Sequence, residues 1–296
     1  MTKLNAFYGS FNTQSTVSAY RWALEKYQSA LKIKDLDQYL EEAPQEKLND
    51  DLKTFYASIK ASPPKTVGLL LTAIRQAFLW YNRDPAVLRM LLGRRSGVST
   101  VLTVDRAPLN EELHRIFEYL ALDNNERAVC FFSALATSGA RFSEILSLQW
   151  PDVSLGNPTC LTLRKTKTMA PRLVFVDRYT TGLLRDFQSS SAGAGGKGEK
   201  GPVFPFYYKA LFRSWNRALS RAGLDDRDPT TNRIVLHPHT LRKRFRTVCG
   251  PILARDILET LLGHSGYLDS AYVRYTPQEL AREYMKAEPL LKVVPS

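Results

Sequence analysis

The chain has 296 residues, enough for two domains that each bury a core, and at 44% hydrophobic residues it is a folded body rather than a disordered tail. Its 41 Lys and Arg against 29 Asp and Glu leave a formal net charge of +12 and a pI near 9.6, which predicts a polyanionic partner bound through basic surface patches. No apolar run approaches membrane-spanning length and the start, MTKLNAFYGSFNTQ, lacks a basic region followed by an apolar stretch, so a soluble protein of the cytoplasm, with no membrane partner, is expected.

The first third predicts short amphipathic helices. Val17, Tyr20, Leu24, Tyr27 and Leu31 share one face, as do Leu48, Leu52, Phe55 and Ile59, and a third stripe runs through Val67, Leu70, Leu71, Ile74 and Phe78. Pro63-Pro64 punctuates the second and third helices. Lys60, Lys65 and Arg75 flank these stripes, as DNA-phosphate contacts or as solvated charges. Between Leu92 and Leu109 the hydrophobic period lapses in a linker containing Gly93-Arg94-Arg95-Ser96-Gly97, which sets a helical domain over 1–103 and a second domain over 104–296.

A helix begins after Pro108 with Asn110 as N-cap and acids in its first turn. A second, Ala128 to Thr137, stops at Gly139. Thr159–Leu163 and Arg172–Val176 have β-forming composition and predict a hairpin with a basic tip, while Ser189 to Gly201 reads as a flexible surface loop. Helices return over Tyr208–Ala222, Thr240–Val248 and Ile252–Leu262, the last with Pro251 in its first turn and Gly263 at its end. The fold class is therefore mainly α with a small antiparallel β-hairpin in the second domain. Cys130, Cys160 and Cys249 show neither disulfide nor metal-ligand spacing and are read as reduced core residues.

Four separated fragments carry the chemistry: Thr137-Ser-Gly-Ala-Arg141-Phe-Ser-Glu144, His239-Thr-Leu-Arg242, Leu262-Gly-His264, and Tyr272 with Tyr275 behind it. Arg141 follows the turn at Gly139, where it either pairs with Glu144 three residues on or is aimed outward by a rigid helix pair. His239 and Arg242 are three apart and share a helical face, placed to contact one phosphate. His264 at a helix end is by itself a capping group, and a tyrosine in the following polar segment is by itself a packing group.

Together these boxes resemble the tyrosine recombinase, or phage integrase, family over residues 107 to 285, and the tail Asp269-Ser-Ala-Tyr272-Val-Arg-Tyr275 is more like integrases of archaea and their viruses than the common bacterial ones. The resemblance implies site-specific DNA strand exchange through a 3′-phosphotyrosine. Arg141 and Arg242 would stabilise the phosphorane, His239 would accept or relay the tyrosine proton, and His264 would donate a hydrogen bond to the phosphate. Lys167 on the hairpin tip would protonate the leaving 5′-hydroxyl, with Lys165 as a rival. The family's usual histidine-to-tyrosine spacing lands on Val273, between two tyrosines; Tyr272 is preferred as nucleophile because Asp269-Ser270 precede it, and Tyr275 remains the alternative. Nothing in the resemblance calls for a metal or a nucleotide cofactor.

The partners implied are duplex DNA with specific recombination sites, three further protomers in a tetramer on paired sites, and accessory DNA-bending proteins. The two domains would close as a clamp, and an amphipathic segment over Pro277–Leu291, with Leu280, Tyr284, Met285 and Leu290, would dock on a neighbouring protomer or pack back on its own domain. Two other readings use the same residues: a type IB topoisomerase that reseals the same strand, and a DNA-binding relative that has lost catalysis.

Overall fold

The computed structural model describes residues 2–93, 105–123, 125–164, 171–192, 200–229, 231–263 and 275–294. The chain divides into two compact units, Met1–Thr100 and Val101–Ser296. Among the described residues no helix is long and apolar enough to cross a membrane.

The N-terminal unit is helical: α1 (Lys3–Gly9), α2 (Gln14–Ala30), α3 (Leu36–Glu42), α4 (Gln45–Ile59), α5 (Pro64–Trp80) and α6 (Ala86–Gly93). Its starts are chemically marked. The Thr2, Thr13 and Asp35 side chains accept from backbone N–H groups of the first turns of α1, α2 and α3, and Pro63 and Pro64 hold the N-cap and first position of α5. The expected stripes form the core: Leu48, Leu52, Phe55 and Ile59 of α4 and Val67, Leu70, Leu71, Ile74 and Phe78 of α5 are all buried, with Leu24 and Tyr27 of α2. The short helices α1, α3 and α6 fall outside those stripes.

The C-terminal unit comprises α7 (Asn110–Leu122), α8 (Glu126–Ser138), α9 (Phe142–Leu146), β1 (Val153–Ser154), β2 (Thr159–Leu163), β3 (Arg172–Val176), α10 (Arg178–Ala192), α11 (Tyr208–Arg221), α12 (His239–Cys249), α13 (Arg255–Leu262) and α14 (Pro277–Ala287). The three strands form one antiparallel sheet in the order β1-β2-β3, with Leu161 opposite Val174. The sheet divides two cores. Leu161, Leu163, Val174 and Val176 face a cluster built on α7, α8 and α11, whereas Phe175 and Cys160 face a second cluster of α12, α13 and α14.

Four expectations are corrected. Asn110 is the first helical residue, not the cap; Leu109 precedes it with its N–H on Glu112 Oε2 at 2.8 Å, and Asn110 Oδ1 accepts from the buried Arg244. Pro251 lies outside α13, because Ile252 and Leu253 N–H close a turn onto the Cys249 carbonyl and the helix starts only at Arg255. The stretch from Ser189 begins as helix, since α10 runs to Ala192, and β1 adds a strand to the hairpin.

Candidate active site

Arg141 stands at the joint between α8 and α9. Every residue of α8 from Ala128 to Ser138 is buried, and the helix ends where Gly139 adopts φ +65°. A Cβ at Gly139 would sit 2.4 Å from the Phe245 ring, so glycine is required there by conformation and by packing. Arg141 then takes an extended backbone as the N-cap of α9, its N–H donating to Glu144 Oε2 at 2.7 Å and its Nη1 to Oε1 at 3.0 Å. From β3, Arg172 closes on the same carboxylate with Nη1 to Oε1 at 2.7 Å and Nη2 to Oε2 at 2.8 Å.

The Glu144 side chain is only 1% exposed. Burial alone would raise its carboxyl pKa, but Arg172 and then Arg141 outweigh that and hold it below the ordinary value. A buried, doubly paired carboxylate thus fixes Arg141 at its backbone and at one terminal nitrogen, while the arginine side chain stays 26% exposed.

Arg242 is far less exposed, at 7%. Its Nη1 donates to the Gly139 carbonyl at 2.7 Å, two residues before Arg141, and its Nη2 donates to the Leu262 carbonyl. Both acceptors lie at helix C-termini closed by a left-handed glycine, Gly139 after α8 and Gly263 (φ +68°) after α13, so the guanidinium meets the negative ends of two helices. Burial, with the nearby charges of Arg141 and Arg172, lowers its pKa to about 10, which leaves it cationic at neutral pH.

His239, the first residue of α12, shares the helix face of Arg242 one turn on and is solvent-exposed. Crowding by protein first and the Arg242 charge second hold its imidazole below the ordinary pKa, so it is neutral and able to accept a proton at pH 7. His237 lies parallel to it, ring centroids 6.2 Å apart and planes 6° apart, and is itself held by Asp105.

Tyr275 donates its hydroxyl proton to Asp256 Oδ2, and that hydrogen bond pushes its pKa up to about 12. Behind it α14 packs on its own unit: Leu280 and Tyr284 are buried in the cluster of α12 and α13, and the Tyr284 hydroxyl donates to the Thr137 carbonyl at 3.0 Å. Leu290 stays 54% exposed.

Of the six site residues expected from sequence, Arg141, His239 and Arg242 converge on one surface around Gly139; Lys167, His264 and Tyr272, and the rival Lys165, lie outside the described residues. Arg172, Asp105 and His237 were not anticipated. Arg172 is separated from Glu144 by 28 positions, and Asp105 from His237 by a whole domain's length, so neither pair leaves a local signal.

The fold is shared with several solved integrases and recombinases. Residues 109–276, more than half the chain, match the phage integrase family, and the chain belongs to that family, the tyrosine recombinases, whose members cleave and rejoin DNA strands at specific sites. No curated protein sequence matches it. Among solved structures, the Tn1549 transposon integrase in complex with transposon right end DNA shares 16% identity over 96% of this chain and 98% of that one, with a TM-score of 0.61. A λ integrase dimer bound to a COC′ core site gives 14% identity, 93% and 99% coverage and 0.58. XerH recombinase in a post-cleavage complex with a palindromic difH substrate gives 18% identity, 93% and 77% coverage and 0.57.

Proposed function

We propose that this chain is a site-specific DNA recombinase that cuts DNA by attack of the Tyr272 hydroxyl on a phosphodiester, forming a 3′-phosphotyrosine and releasing a 5′-hydroxyl. The observation that carries the reading is that Arg242, on the same helix face as His239, bonds the Gly139 carbonyl two residues before Arg141, so that one helix and a turn a hundred residues away meet at this point.

Two guanidiniums suit the non-bridging oxygens of the phosphorane, which gain negative charge as the nucleophile approaches. Neutral His239 takes or relays the tyrosine proton, His264 donates to the phosphate, and Lys167 gives a proton to the departing 5′-oxygen. Attack by a 5′-hydroxyl of a partner strand reverses the step, so the bond energy stored in the phosphotyrosine is recovered on joining. The engagement of Tyr275 with Asp256, which raises its pKa, supports Tyr272 as the nucleophile.

In this reading the N-terminal unit, with Lys60, Lys65 and Arg75, is a core-binding domain that closes with the catalytic unit around duplex DNA. Four protomers work on paired sites through a Holliday junction, in a prokaryotic cell or a virus-infected one, and the tail is of the archaeal type. With a net charge of +12, binding weakens steeply with salt.

The test is to incubate the protein with nicked fragments of its source DNA, trap complexes that survive SDS, digest with trypsin and identify the peptide bearing DNA. An adduct on the peptide 256–274, localised to Tyr272, is the expected result. An adduct on the peptide 275–282 moves the nucleophile to Tyr275, and tight binding with no adduct makes the protein a non-catalytic binder.

A further inference from the structure

Asp105 is the first described residue of the C-terminal unit, and its carboxylate ties two groups beside His239. Lys243 Nζ is 2.7 Å from Asp105 Oδ2 and also donates to the Asp105 carbonyl at 3.2 Å; His237 Nε2 is 3.3 Å from the same Oδ2. Lys243 lies four residues after His239 in α12, so it shares that face. The backbone beneath is equally fixed. Trp215 Nε1 donates to the Leu236 carbonyl at 2.9 Å, and the Thr240 N–H and hydroxyl both donate to the His237 carbonyl, at 2.8 and 2.6 Å.

In this arrangement the Asp105 contact holds the His237 ring parallel to His239. We propose that Asp105 and His237 are positioning residues for strand cleavage: the Asp105 carboxylate holds the His237 ring, and that ring sets the orientation and charge state of His239. The inference rests on the role of His239 given above. It assigns a task to the point where the interdomain segment enters the catalytic unit, because Asp105 is the residue through which that entry reaches the proton acceptor.

The charges that bear on His239 are those of Arg242, His237 and Lys243, which disfavour its protonated form, and of Asp105, which favours it. His237 in turn faces Asp105, Lys243 and Arg233. Removing the Asp105 charge should therefore lower the His239 pKa, and removing the His237 ring should raise it.

The experiment is a pair of pH titrations on the full chain and on its Asp105→Asn and His237→Gln variants. Histidine NMR follows His239 directly, and with only four histidines in the chain the signals are assigned by substitution. In parallel, the rate of covalent adduct formation on a nicked substrate is measured against pH. A base acts only when deprotonated, so the acidic limb of the profile should move to lower pH in Asp105→Asn and to higher pH in His237→Gln, each by the amount seen in NMR, with DNA affinity within about twofold of the parent. A His239 titration indistinguishable from the parent in both variants overturns the proposal, as does a loss of rate that is equal at every pH. A parent chain that forms no adduct on any substrate fails the recombinase reading instead, and the NMR arm then decides on its own whether Asp105 and His237 control His239.

Discussion

Glu144→Gln is the substitution that most directly probes the architecture of the site. Four hydrogen bonds converge on this carboxylate, two from Arg172 at 2.7 and 2.8 Å and two from Arg141 at 2.7 and 3.0 Å. Glutamine keeps the shape and one acceptor oxygen but, because each oxygen accepts from both arginines, turns an NH₂ toward a donor of each and leaves both charges uncompensated. Breaking a buried pair costs about 3–5 kcal/mol. Arg141 is 26% exposed, so water recovers part of that, and the expected loss is about 2–4 kcal/mol. In a unit of this size that lowers Tm by about 5–15 °C. Thermal unfolding at pH 7, with hydrogen exchange of α8 and α9 to assign the change to the C-terminal unit, measures it.

The pH dependence is a second constraint on the same residue. The Glu144 pKa is lowered on folding, so its contribution is fully present above the unfolded value, near the ordinary 4.5, and is lost as pH falls through the folded value. The gap between parent and variant should therefore be constant near neutrality and shrink progressively below pH 4.5. A loss under about 1 kcal/mol at pH 7, or a gap that widens in acid, would refute the account of Glu144 as the anchor of Arg141.

Gly139→Ala must adopt φ +65° and push against the Phe245 ring, which together cost about 2–4 kcal/mol, and it shifts the carbonyl that holds Arg242; urea unfolding and adduct yield should fall together. Tyr284→Phe leaves the Thr137 carbonyl without its 3.0 Å donor in a buried place, so the unfolding free energy should drop by about 1–2 kcal/mol, read as a lower urea midpoint with an unchanged slope. Sulfate at ten times its dissociation constant should stabilise the C-terminal unit by about 1.4 kcal/mol relative to chloride at equal ionic strength, and Arg141→Gln should abolish that difference in a thermal melt.

What was legible in the sequence is what local periodicity and punctuation encode. The stripes of α4 and α5, strands β2 and β3, and the stops at Gly139 and Gly263 all follow from short-range patterns, which place Arg141 at the start of α9 and His239 and Arg242 in the first turn of α12. β1 is two residues long and holds no period. The last turns of α10 are serine-rich and read as loop, although its Leu184 and Phe187 are buried. Pro251 fits a helix start by rule, yet the Cys249 carbonyl already holds the next turn. Arg172 has the look of an ordinary first strand residue; only the sheet register, which sets it opposite Leu163, brings it to Glu144.

In the proposed reading, the placement of charge suits these pairings to a phosphodiester. Arg141, Arg172 and Arg242 stand with Glu144, three positive groups to one negative, and Glu259, the next acid to act on Arg242, is paired with Arg246. Glu144 is committed to the two arginines whose geometry needs a rigid fork. The carbonyls of Gly139 and Leu262 orient Arg242 through neutral dipoles at two helix ends. In that reading the left-handed glycines after α8 and α13 belong to the site, since the helix ends they close accept from Arg242.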